Sequence, residues 1–342
     1  MVTCYAALED RLVVAREVDG DWTTSERLRE SAVECVAADR ATPDRIFVGT
    51  ADNGLERSTD GGDSWESTLH AGDRVTAVTV DPTDPDVVWA GTEPSAVYRS
   101  ADGGETWTEK PGLTDLPSAE HWSFPPRPDT HHVRWLAVAP DEPDRLYVAI
   151  EAGAFVVSPD GGETWIDRPE GSRYDNHTVA THPDAPARVY SAAGDGYAES
   201  TDRGEHWRHP QDGLDHRYVW GLAVAPSDPD EVFVSAASGA RAAHSADGTS
   251  YVYRRRIPDD DTPATGATDD EAATVGEWHL AMEGLPGPEN MARPVLAAGE
   301  DTVYALTNEG LFVRDGDRAW DICSLHWPGV YTHQVPRGLA AV

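Results

Sequence analysis

The sequence predicts an all-β fold: a single seven-bladed β-propeller of four-stranded antiparallel blades occupying residues 1–342. Three observations predict it. An octapeptide pattern recurs in register, tryptophans follow one another at a near-constant step, and the two chain ends carry complementary parts of one blade.

The octapeptide is S-x-D-x-G-x-x-W, met without error at 58–65, 100–107, 158–165 and 200–207. Upstream of each copy runs the same order of a Pro/Asp turn, an apolar strand, a short turn and a second strand, as in "TPDRIFVGTADNGLERS" and "DPDVVWAGTEPSAVYRS". The residue types suit a tight hairpin. The Ser and Asp side chains (Asp60, Asp102, Asp160, Asp202) can accept from backbone N–H groups of the turn, and Gly permits a backbone conformation that a side chain obstructs. The closing Trp65, Trp107, Trp165 and Trp207 each bring a large ring to bury between neighbouring blades. These carboxylates therefore read as structural.

Degenerate copies end at Trp22 and Trp320, and a copy starting "SADG" at Ser245 reads as interrupted, with Trp278 as its tryptophan. The ladder is then 22, 65, 107, 165, 207, 278 and 320, with steps of 43, 42, 58, 42, 71 and 42. Two long steps mark two insertions, and no room remains for a second domain. At the ends, "TCYAAL", "RLVVAREV" and "DWTTSERL" match the second, third and fourth strands of a blade. The missing first strand is expected from "HQVPRGLAAV", which would close the ring and leave no open edge.

These repeats resemble the BNR, or Asp-box, family of β-propellers over nearly the whole chain. The resemblance implies that each octapeptide joins the third and fourth strands of a blade on the lower face. The upper face then carries the starts of the inner strands and the turns between second and third strands. The insertion at about 115–130, with His121, Trp122 and Phe124 among prolines, falls on the upper face as a semi-rigid loop over the channel mouth. The insertion at about 250–277, low in complexity and acidic, falls below.

Composition bounds the partners. There are 61 acidic against 27 basic residues, a formal net charge of -34, and Lys110 is the one lysine. Such self-repulsion destabilises a compact state unless concentrated ions screen it. An acid-rich, lysine-poor chain looks like haloarchaeal proteins, and a cytoplasm of high salt is expected. The negative field argues against nucleic acid or anionic membrane as partner. "MVTCYAALED" has neither a basic n-region nor an apolar h-region, and no apolar run suits a membrane span. Cys4, Cys35 and Cys323 follow no metal-ligand spacing and read as reduced core thiols. No phosphate-binding glycine loop, nucleophile elbow or convergent histidine set is present, so no cofactor and no metal centre is expected, and the chain is expected to be a monomer.

Aligning the inner strands places one residue per blade at an equivalent position near the channel mouth: Glu34, Thr76, Arg134, His177, Trp220, Arg293 and Arg337. Two residues earlier stand Ala32, Arg74, His132, Asp175, Tyr218, Met291 and Val335. Arg134, Arg293 and Arg337 in one ring of so acidic a chain suggest an anion-binding funnel, with guanidinium forks for carboxylate or phosphate and aromatic walls from Trp135, Trp220 and Tyr218. Alternatively, they pair with Glu34, Asp175, Glu93, Glu151 or Asp195.

Two function classes follow. The resemblance includes non-enzymatic relatives, among them the single propeller that assists photosystem II assembly and the sortilin-type receptors, and implies recognition of a protein, peptide or anionic small molecule. It also includes glycoside hydrolases. Sialidases have six blades and an Arg-Ile-Pro motif before the first box, whereas Arg256-Ile257-Pro258 comes after the fifth box here, and their tyrosine–glutamate pair finds no matching positions. Xyloglucan-cleaving enzymes use two propellers in tandem. A hydrolase of another kind would draw on Glu34, Glu151 and Asp175 at the mouth. A binding or scaffold propeller is the leading expectation.

Overall fold

The computed structural model describes residues 2–69, 74–258 and 276–342 and places them in seven antiparallel sheets. Six of these have four strands. In the fifth blade the fourth strand shrinks to one antiparallel bridge, Glu199 with Arg208. The inner strands of blades 1 to 7 are Gly338–Ala341, Val33–Asp39, Arg74–Val80, Val133–Val138, Asn176–Thr181, Tyr218–Ala225 and Val295–Ala298. Each packs on the inner strand of the next blade around the ring. The middle strands Leu146–Ile150 and Ala154–Ser158 are buried at every position because neighbouring blades cover both faces. Alternating strands buried on one face alone would not read as such continuous apolar runs.

The octapeptide turns form the hydrogen bonds their residue types suggest. Gly62 N–H donates to Ser58 Oγ at 2.9 Å, and Ser64 N–H donates to Asp60 Oδ1 at 2.8 Å. The glycine-to-serine bond recurs at 2.9, 2.8 and 2.9 Å in the turns starting at Ser100, Ser158 and Ser200. Gly61 and Gly62 sit at φ +72° and +92°, the left-handed region where a side chain is strained. Bonds from the Ser64 hydroxyl and backbone lower the Asp60 carboxyl to about 2.

Every tryptophan of the ladder packs on the blade before it. Trp65 packs on the cluster that holds Leu12 and Val14 of blade 1, Trp207 meets Phe155 of blade 4 edge-on at 4.7 Å, and Trp278 meets Tyr197 of blade 5 at 4.9 Å. Trp22, in blade 1, packs on the Tyr304 cluster of blade 7 and completes the circle. The ring is closed as expected from the chain ends. Cys4 pairs with Ala341 and Ala7 with Gly338, and Thr3 and Val342 exchange backbone bonds at 2.8 and 2.9 Å.

Blade 6 corrects one expectation. Ser245 does not open an interrupted octapeptide between third and fourth strands. It follows a short helix, Ala240–Ala243, in the connection between the second strand, Asp228–Ala237, and the third, Ser250–Arg256. Residues 250–256 are therefore strand and not insertion, and part of the extra length lies on the upper face. The acidic segment expected below falls, from 259 to 275, outside the described residues.

Candidate functional site

Five of the seven aligned residues share an irregularity. In blades 2 to 5 the pairing of inner and second strands skips one residue, and the skipped residues are Glu34, Thr76, Arg134 and His177. Blade 6 skips Trp220 and Gly221. A bulged residue has no cross-strand partner, and its side chain is turned out of the sheet's alternation. Arg293 and Arg337 stand just before the inner strands of blades 7 and 1.

Arg134, Arg293, Arg337, Trp220, His132, Glu34 and Glu151 line one cavity of about 120 Å3 at this mouth. Trp220, one of its lining residues, is 4% exposed. The Arg293 and Arg134 guanidinium carbons lie over its ring at 4.0 and 4.7 Å from the centroid. His177 approaches the same ring at 4.2 Å, and His244 meets it at a right angle at 4.4 Å.

The three arginines differ in their partners. Arg337 Nη2 takes Glu9 Oε1 at 3.0 Å, an acid outside the expected set. Arg134 Nε stands 3.7 Å from Glu151 Oε2. Arg293 is 1% exposed, forms no ion pair among the described residues, and leaves Nε and Nη1 without a hydrogen-bond partner. Burial, followed by the charges of Arg337 and Arg134, pushes its pKa well below the ordinary guanidinium value.

The acids are largely engaged. Glu34 pairs with Arg74, and Glu93 with Arg127 at 2.5 Å. Glu151 Oε2 receives His132 Nε2 at 3.0 Å. Burial raises the Glu151 carboxyl, but the His132 bond and neighbouring positive groups, Arg134 among them, outweigh it and hold it well below the usual range. Asp175 goes the other way, raised by burial. The turn presenting Glu151 holds Ala152 at φ +47°, and the Ala152 N–H donates to Asp175 Oδ1 at 2.8 Å. Such a strained non-glycine conformation persists only where its surroundings enforce it.

Tyr218 binds His244 Nε2 through its hydroxyl at 2.9 Å and stacks towards Trp220. Desolvation and the Arg293 charge lower the pKa of His244, although its side chain stays exposed. Trp135 is a correction: it packs on the cluster of Ala137, Tyr147 and Phe155 between blades 4 and 5 and does not line the mouth cavity. The bulge at Arg134 sends the two adjacent residues to different surroundings. In the loop at 115–130, Phe124 and Arg127 reach the mouth, Trp122 is buried in the core, and His121 faces solvent beside Glu120. The sequence pointed to neither His244 nor Glu9. His244 comes from the misassigned turn of blade 6, and Glu9 lies 328 residues from Arg337.

No protein-family model matches the chain, and no curated protein matches it. Solved structures match its fold. An ancestral GH74 enzyme has a TM-score of 0.62 and 18% identity, over 85% of this chain and 38% of the enzyme. The Niastella koreensis GH74 enzyme has a TM-score of 0.60 and 15% identity, over 85% of this chain and 47% of that one. YCF48 bound to D1 peptide has a TM-score of 0.56 and 15% identity, over 85% of this chain and 82% of YCF48. The chain thus spans less than half of either GH74 enzyme and aligns with most of YCF48. At these identities the likeness is one of fold, a propeller shared by GH74 enzymes and by a protein bound to a peptide.

Proposed function

We propose that the protein is a non-enzymatic binding or scaffold propeller of a high-salt cytoplasm, whose upper mouth takes a carboxylate or phosphate carried by a peptide, protein or small molecule. The observation that carries this reading is Arg293, a buried guanidinium with two unpartnered nitrogens lining the mouth cavity beside Arg134. Buried unpaired charge is costly, and an anion between the two guanidiniums would relieve both their desolvation and their mutual repulsion. The cavity of about 120 Å3 suits one such group. Pockets enclosing larger organic ligands are roughly 300–1,000 Å3. The fold likeness to YCF48 bound to D1 peptide supports a peptide as carrier.

The test is calorimetric titration of the full chain in 2 M KCl with citrate, acetate and phosphate, followed by the Arg293→Met variant. One saturable site, weakened at least tenfold in the variant, supports the reading. Saturable binding of none of the three, or equal binding by the variant, overturns it.

One observation favours the alternative, a glycoside hydrolase using carboxylates at the same mouth. Glu151 and Asp175 bring carboxylate oxygens within 4.8 Å, and their environments push their pKa values in opposite directions. A lowered and a raised carboxyl side by side is the pattern of a nucleophile and an acid. Against it stand the small cavity and the engagement of Glu34 by Arg74. Release of sugar from xyloglucan or a sialoside by the wild type, abolished by Asp175→Asn, would establish the alternative.

A further inference from the structure

We infer that Glu151, Asp175 and His177 form a site for one divalent first-row transition-metal ion, bridging blades 4 and 5 beside the mouth. One carboxylate oxygen from each acid and a ring nitrogen of His177 lie within 4.8 Å of one another. His177 Nε2 stands 3.6 Å from Asp175 Oδ1 and 4.0 Å from Glu151 Oε1. These gaps are too long for good hydrogen bonds, and they suit ligands grouped around an ion about 2.0–2.2 Å from each.

The tautomer of His177 gives the second, independent reason. Its Nδ1 lies 2.7 Å from the Val219 carbonyl oxygen. A carbonyl only accepts, so Nδ1 carries the proton and Nε2 of the neutral ring presents a lone pair. That nitrogen is on a side chain 0% exposed and has no hydrogen-bond partner among the described residues. A lone pair aimed at two carboxylates in a largely buried site is repulsive, and a cation among them turns every one of those contacts attractive. A ring N–H donated to a backbone carbonyl is also the usual way a metal-binding histidine is oriented.

The surroundings hold the acids in place. His132 occupies Glu151 Oε2 and leaves Oε1 towards His177. Asp175 is fixed through Oδ1 by the Ala152 N–H. A Cβ at Gly194 would come within 2.0 Å of Asp175 Oδ2, so the glycine leaves the space that this carboxylate fills. One imidazole with two carboxylates suits Zn2+, Mn2+, Fe2+ or Co2+, and lacks the six to eight oxygens that Ca2+ prefers. By contrast, the group of Asp202, Glu205 and His206 is exposed throughout and belongs to an octapeptide turn, so it carries no site.

This assignment stands apart from the anion reading, since it uses none of the arginines. The experiment is titration of chelator-treated full-length protein with Co2+ in 2 M KCl, read by visible d–d absorption and by melting temperature. One equivalent should give a saturable band and raise the melting temperature. His177→Gln and Asp175→Asn should each weaken binding at least tenfold, while His206→Gln should leave it unchanged. No band in the wild type, or an equal band in His177→Gln and Asp175→Asn, overturns the site. Should both variants fail to fold, anomalous scattering from wild-type crystals grown with Zn2+ decides. A peak among the three side chains upholds the site, and its absence there rejects it.

Discussion

The Arg293 guanidinium lies over the Trp220 ring, 4.0 Å from its centroid, and this contact takes the place of a carboxylate partner. A desolvated cation–π contact is worth about 2 kcal/mol, less than the cost of burying a lone guanidinium. Arg293→Met keeps the length of the side chain and removes the charge. It should leave the melting temperature unchanged or raise it, with a gain of about 1–4 kcal/mol as the upper range for such replacements. Arg337→Met should instead lower it, because it strands Glu9. Thermal denaturation of the two variants side by side checks the contrast. A large loss in Arg293→Met would make that arginine architectural.

The seam predicts the effect of truncation. Deleting 333–342 removes the inner strand of blade 1 and exposes the pairing edge of Val2–Ala7 and the flank of Val33–Asp39. Exposed strand edges invite intermolecular pairing. The shortened chain should aggregate or unfold at a markedly lower temperature, measured by light scattering and circular dichroism. A monomer of unchanged stability would contradict the closure.

The octapeptide turns predict a pH dependence. Hydrogen bonds within the turns hold Asp60, Asp102 and Asp160 below the ordinary carboxylate value, Asp60 at about 2. Folded values lie below unfolded ones, so this stabilisation is complete above about pH 4 and is lost as pH falls through the folded values. Melting temperatures in 2 M KCl should fall between pH 4 and pH 2. Asp60→Asn combined with Asp102→Asn should flatten the fall. An equal slope in the double variant would remove the turns as its cause.

Net charge predicts a salt dependence of opposite sign to that of surface ion pairs. With -34 charges, the fold should gain stability from 0.1 M to 2 M KCl as the screening length falls to about 3 Å or less. The ion pairs this weakens are each worth roughly 0–1 kcal/mol. A flat or falling melting temperature would reject a fold built for concentrated salt.

Much of the architecture was legible because each blade repeats the same local instructions, and the Ser58–Gly62 bond could be anticipated from residue types alone. The mouth was legible by register but not by partner. Alignment placed Arg293 and Arg337 as equivalents, yet one is buried without an ion pair among the described residues and the other is held by Glu9. Pairings across hundreds of residues leave no local trace in a sequence. Trp135 was misjudged because the Arg134 bulge breaks the two-residue period on which facing is read. His244 was hidden because "SADG" looks like a turn it does not form. The cation site escaped because Glu151 comes from one blade and Asp175 and His177 from the next.

The row of bulges along the inner strands has a consequence for how such a mouth diversifies. Glu34, Thr76, Arg134 and His177 have no cross-strand partner, so exchanging one shifts no ladder and moves no neighbouring side chain to the opposite face. The scaffold's tolerance of change is thus concentrated where ligand chemistry is decided. Each of these four blades contributes one letter that can be rewritten without disturbing strand register, and recognition can be retuned letter by letter on that frame.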